Sequence, residues 1–283
     1  MIDLFAIAKE NATAVAEAFA ALCADLPPED LAPLVRYAER VQETGRISIN
    51  MKQDHLNGFL TSRQHQNTYE RAEQTAAETG RPREEILRES LKAFYELRVT
   101  FDHSFQDGER FRYGALNIGG VGAITYGEYC VVLQGQVSSG RSQVAYVRAD
   151  SLKTYMLGPV LNETDIRKDA TPHAHRHHLA ILKHASDVPG CPEDGWPHLL
   201  CSSSDCVETI FTGAVSPTDT EVVRMPRSDY DDRMRRALDG SLGTAAEHEK
   251  RLLGIFKNVQ KELRSNRIPL ELVDHVPTTR LGA

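Results

Sequence analysis

Glu208 is the carboxylate whose position most needs a reason. It stands inside the apolar run CVETIFTGAV, where strand alternation would put it on one face with Cys206 and Ile210. Glutamate is seldom buried without a partner or a task. The alternative is an edge-strand glutamate that merely faces water. Arg63 follows FLTS, read as a short strand over 58–62. A guanidinium there could grip a diphosphate bidentately, although most isolated arginines are solvated surface residues.

The stretch RFRYGALNIGGVGAITYGEYCVVLQG raises a different possibility, a phosphate cradle around Gly114, Gly119, Gly120 and Gly122. No Gly-Lys-Ser/Thr follows, and no helical pattern starts at the turn. A dinucleotide fingerprint needs a strand before it and a helix after it, whereas here a strand follows. The glycines therefore read as a strand-to-strand connection. Tyr113 and Asn117 are left as candidates to line a pocket, with glycines permitting close backbone approach. The segment PHAHRHHLAILKH places His173 and His177 at i,i+4 spacing. It lacks the Glu of the metalloprotease pattern. Cys191, Cys201 and Cys206 form no CxxC pair. No metal site is expected, and the segment reads as a solvated basic helix face.

Composition narrows the classes. The chain has 283 residues and a formal net charge of -7. It carries no basic block interleaved with aromatics, so nucleic acid is not an expected partner. Five cysteines, an odd number in a long chain, point to reduced thiols rather than a disulfide framework. No apolar run approaches the roughly 20 residues that cross a bilayer. Lys9, Glu10 and Glu17 interrupt the N-terminal apolar stretch, which reads as an amphipathic helix, not a cleaved export signal. The expected setting is a cytosol.

The elements that must position these residues follow from periodicity. Leu31, Leu34, Val35, Ala38 and Val41 lie at helical spacing, and Gly45 stops that helix. ISINM at 47–51 alternates as a strand. Helices are expected near 64–78, from Pro82 onward, near 173–186 and over 245–263. From Arg98 to Val223 the runs YCVVLQG, QVAYVR, CVETIFTGAV and TEVVRM read as strands bounded by Gly, Ser, Pro and Asp. Helices first and a largely antiparallel sheet after them give an α+β class.

A strand ending near an Arg, two helices, YGALN, YGEYCVVLQGQV and then VETIFTGAVSPTDTEVV together resemble the mono-ADP-ribosyltransferase fold. Among such domains the chain is most similar to the CteC-like family of bacterial effectors, which attach ADP-ribose to a threonine of host ubiquitin. The resemblance covers roughly 46–225. It implies an ADP-ribosyltransferase-like split antiparallel β-sheet core with N-terminal helices (1–45) and a C-terminal helical extension (226–283) packed on it. It further implies NAD as co-substrate, without a metal, in a cleft between two small sheets. By position, Arg63 would hold the dinucleotide and Glu208 would bond the nicotinamide ribose. Phe94 would wall the nicotinamide, with Tyr113 and Asn117 near the same pocket. Asp219 and Glu221 are alternative carboxylates if the strand register differs. Two residues before Glu208 stands Cys206, where arginine-modifying relatives carry Glu, so a hydroxyl acceptor fits better than a guanidinium. The resemblance implies a secreted effector acting in a host cytosol, with ubiquitin as suspected substrate and no membrane partner. Hydrolysis of NAD to free ADP-ribose, or an inactive protein-binding module, are the competing expectations.

Overall fold

The computed structural model describes residues 1–141, 143–202, 205–240 and 247–274. Seven strands are named here: β1 (Arg46–Met51), β2 (Arg112–Asn117), β3 (Tyr129–Leu133), β4 (Val144–Val147), β5 (Glu208–Phe211), β6 (Thr220–Pro226) and β7 (Leu270–Val273). They form one continuous sheet in the order β7-β6-β3-β1-β2-β5-β4, not two small sheets. Neighbours are antiparallel except the parallel pair β6–β7. The sheet therefore takes its last strand from the 226–283 segment. Its interior strand β3 is buried along its whole length, which is why YCVVL is a continuous apolar run rather than an alternating one.

Eleven helices matter to the layout. They are α1 (Leu4–Glu10), α2 (Ala12–Asp25), α3 (Pro28–Thr44), α4 (Gln53–Ser62), α5 (Thr68–Thr79), α6 (Arg83–Leu91), α7 (Tyr95–Ser104), α8 (Glu163–Asp169), α9 (Arg176–His184), α10 (Arg227–Gly240) and α11 (Glu247–Ser265). Their ends follow local chemistry. Pro28 opens α3 with Glu29 and Asp30 in its first turn, a placement that suits the helix dipole. Asn67 and Glu70 close a reciprocal capping box at the start of α5.

The two sheet faces differ. One carries Ile47, Ile49, Leu116, Val131 and Phe211 and packs against α3, α4, α9 and α11. The other, at the β2–β5–β4 end, carries Ala145, Val147 and Ile210 and is covered by α1 and α7 through Leu4, Ile7 and Phe101. Glu208 pairs with Ala115 on β2 and Val147 on β4. Directly opposed residues share a face, so Glu208 belongs to the second.

Three expectations change. The strand read at 58–62 is the end of α4, whose Leu56, Phe59 and Leu60 are buried; a short apolar run does not distinguish the two periods. Helix continues through Arg98 to Ser104, so the strand-rich region begins later. The histidine segment is not a solvated face. His178 stacks on Phe19 with ring centroids 4.4 Å apart, His173 Nδ1 lies 2.9 Å from the Tyr146 hydroxyl, and His184 is buried.

This packing sets an acid sensitivity. Burial, their first cause, holds His65 down to about 3 and His173, His177 and His184 down to about 4. In the unfolded chain each would take a proton near the ordinary histidine value of about 6.5. Below that pH the unfolded state binds more protons, so stability falls as pH drops from about 6.5 toward 4. Thermal melts should show Tm declining steeply over that window; a flat Tm would contradict the buried neutral rings.

Candidate functional site

Glu208 sits where β5 is flanked on both sides by strands. It is 8 % exposed. Its Oε2 accepts a 2.7 Å hydrogen bond from the Ser151 N–H, and among the described residues no hydrogen bond reaches Oε1. Ser151 opens the helical turn Ser151–Thr154, which Asp150 caps by accepting from the Leu152 and Lys153 N–H groups at 3.0 and 3.1 Å. Burial, with the nearby Asp150 charge adding to it, pushes the Glu208 carboxyl up from 4.5 to about 7; the Arg98 cation and the Ser151 N–H hydrogen bond oppose the rise. At neutral pH the group is poised between acid and carboxylate, a condition concentrated at functional sites.

Arg98, on α7, is the cation whose charge acts on it. Its guanidinium carbon lies 3.7 Å from the centroid of the Tyr113 ring. Its Nη1 is 3.7 Å from Asp102 Oδ1, one helical turn on, and makes no hydrogen bond. The Tyr113 hydroxyl donates to the same Asp102 oxygen. Burial lifts Asp102 from 3.8 to about 6, against the pull of Arg98 and the hydrogen bond from Tyr113. Arg98 thus lies within electrostatic reach of two buried carboxyls and stacks on the phenol between β2 and α7. The i,i+4 spacing of Arg98 and Asp102 was visible in the sequence. Their burial was not, because it is imposed by the sheet beneath.

The glycine-rich connection supplies a different residue from those expected. Asn117 is consumed by the turn itself: its Oδ1 accepts from the Gly119 and Gly120 N–H groups at 2.8 and 3.0 Å, and its Nδ2 donates to the Gly120 carbonyl at 3.0 Å. Asn50 ties down the next part, donating to the carbonyls of Val121 and Gly127 and accepting from the Ala123 N–H. The loop can lie this close only because side chains are missing. A Cβ on Gly127, at φ 158°, would stand 2.1 Å from the Met51 carbonyl carbon. Gly127→Ala should cost about 1–3 kcal/mol, read by chemical denaturation; an unchanged midpoint would contradict this packing. At the end of the loop Tyr126, 49 % exposed, donates its hydroxyl to Asp150 Oδ2. The loop therefore meets the segment that holds Glu208 and offers an exposed ring beside it.

The structure thus brings Glu208 and Tyr113 together through Arg98. Arg63 is elsewhere: it ends α4 in a left-handed conformation, φ 60°, exposed, beside the opposite face of the sheet. Phe94 precedes α7 one turn before Arg98, with 53 % of its surface exposed. Asp219 caps the turn at Ser216, accepting from its N–H and hydroxyl, and Glu221 pairs with Arg46 at 3.4 Å. Sequence reasoning passed over Arg98, Asp102, Asp150 and Tyr126. No family model matches the chain, and no curated protein shows significant similarity to it. No helix among the described residues is long and apolar enough to cross a membrane.

Chemically, the arrangement offers one carboxylate oxygen that no hydrogen bond reaches among the described residues, on a rigid strand, in a site of low dielectric. Such a group can accept from a substrate hydroxyl and stabilise a cation forming next to it. Arg98 holds part of the population ionised at neutral pH, and Ser151 fixes the orientation.

Proposed function

We propose that the chain is a mono-ADP-ribosyltransferase that cleaves NAD and transfers ADP-ribose to a hydroxyl side chain of a host protein, with ubiquitin threonine as the suspected acceptor. The observation that carries the reading is Glu208: a buried strand carboxyl, raised to about 7, with one oxygen bonded to the Ser151 N–H and no hydrogen bond to the other among the described residues. In an α+β frame with a mostly antiparallel sheet, a carboxylate of this kind suits glycosidic chemistry. Loss of nicotinamide leaves an oxocarbenium-like ribose, and a nearby carboxylate lowers that barrier, as in glycoside hydrolysis.

In this reading the bond between ribose C1′ and the nicotinamide nitrogen breaks, and its electron pair leaves with nicotinamide. The acceptor oxygen forms the new bond to C1′ and its proton passes to solvent. Glu208 accepts from a ribose hydroxyl and stabilises the cation. Tyr126 offers its exposed ring to the nicotinamide. Arg98 keeps Glu208 ionised, a role different from gripping the dinucleotide. The acceptor must be docked within attack distance, so protein binding supplies part of the rate by orientation. Cys206 in place of a second carboxylate suits a hydroxyl acceptor. The setting that goes with this reading is the cytosol of a host cell reached by a secreted bacterial effector.

Incubation of the purified chain with labelled NAD and ubiquitin tests the reading. Label on ubiquitin supports transfer. Free ADP-ribose alone points to hydrolysis, and binding without turnover points to an inactive interaction module; either overturns it.

A further inference from the structure

Cys201 and Cys206 were separate in the sequence reading, with no CxxC spacing to join them. The chain folds back here into a small antiparallel pair, Cys201–Ser202 against Asp205–Cys206, in which the two cysteines are direct partners. Opposed residues in such a pair have Cα atoms about 4.5–5.5 Å apart with side chains on one face. That interval lies inside the roughly 4.4–6.8 Å a disulfide spans. Both cysteines are reduced and buried, at 3 and 4 % exposure. They pack together against Ala115 of β2 and Ala123 of the glycine-rich loop. The neighbouring Cys206 thiol and burial push the Cys201 thiol up, and the Lys183 ammonium, 2.9 Å from the Cys206 carbonyl oxygen, opposes that rise.

We propose that Cys201 and Cys206 form an oxidisable dithiol, a modification site at which a small hydroperoxide closes an intramolecular disulfide beside the strand bearing Glu208. One thiolate attacks the peroxide, giving a sulfenic acid and hydroxide. The second thiol displaces that oxygen as water, forming the S–S bond. In sum, two thiols and one hydrogen peroxide give one disulfide and two waters. Burial excludes bulky oxidants, and the adjacent thiol intercepts the sulfenic acid before further oxidation. Cys130, also buried, bonds instead with the Asn117 amide at 3.4 Å. Cys23 and Cys191, both partly exposed, have no such partner in the sheet.

The disulfide would tie the end of the short helix Trp196–Leu200 to the residue that stands two positions before Glu208. The inference rests on the paired thiols and holds whether or not the chain turns over NAD. Its test is intact-mass and peptide mapping of the folded protein after stoichiometric hydrogen peroxide, with Cys23→Ser/Cys191→Ser as background to silence the exposed thiols. The expected product has lost two hydrogens, maps to a peptide joining 201 to 206, reverts with a dithiol reductant, and melts at a higher temperature than the reduced form. Cys201→Ser in the same background should instead accumulate oxygen adducts on Cys206. Overturning results are oxygen adducts in place of the crosslink in the parent, a crosslink using Cys130, or no oxidation under conditions that oxidise free cysteine.

Discussion

Glu208→Gln is expected to abolish NAD cleavage while making the folded protein more stable at pH 8. The two effects have one cause. Raising a carboxyl from 4.5 to about 7 means that ionising it in the native state costs on the order of 3 kcal/mol more than in the unfolded chain. The sign follows from proton binding: between those pH values the native state holds more protons than the unfolded one. The group's stabilisation is complete below pH 4.5 and is lost as pH rises through about 7. A neutral glutamine keeps the Ser151 hydrogen bond and escapes that loss. The variant should gain up to about 3 kcal/mol at pH 8 and little at pH 4.5. Activity should fall by at least about 10²-fold, the range seen when a group that stabilises transition-state charge is removed. Paired melts at the two pH values, with nicotinamide release beside them, check both halves. A variant that is fully active would remove Glu208 from the chemistry, and one equally destabilised at every pH would make it structural.

Arg98→Met carries the second large effect. The guanidinium is stacked on Tyr113 and 3.7 Å from Asp102, and its charge draws Glu208 downward. Removing it leaves Asp102, 1 % exposed, without its cation. Breaking a buried pair on one side costs about 3–5 kcal/mol. The same loss lets the Glu208 carboxyl climb further, so the pH at which activity is half-maximal should move upward. Arg98→Lys restores the charge without the planar stack and should return part of that displacement. A residue with a structural role alone would lower Tm and leave the pH midpoint in place, so the midpoint decides between the two.

Much of the frame was legible in the sequence because burial leaves a plain trace. YCVVL, VAYV and ETIF are buried along their whole lengths, and a strand covered on both faces has little room for polar residues. Strand β7 was missed because LELV is only four residues long, is partly exposed and is held by parallel pairing to β6. The site was legible only at its centre. Glu208 stands out as a charge in an apolar strand. Arg98, Asp102 and Asp150 resemble ordinary polar residues of helices and turns, and nothing local shows that the charges of Arg98 and Asp150 act on Glu208 or that Asp102 pairs with Arg98. Tyr113 and Asn117 were singled out from the same strand, yet one stacks on Arg98 while the other holds the glycine turn together. Arg63 was drawn toward the site by a strand reading that α4 replaces. The paired cysteines show the same limit, since pairing between two strands is a property of the folded chain.

The central claim is that Glu208 acts as an ionised carboxylate in cleaving the nicotinamide bond of NAD. Nicotinamide release by the purified chain, followed from pH 5 to 9 with NAD and acceptor in excess, tests it most directly. The expected result is a rate that rises through a single ionisation near pH 7 and is absent in Glu208→Gln. No release at any pH, or release that the glutamine variant retains, would contradict it.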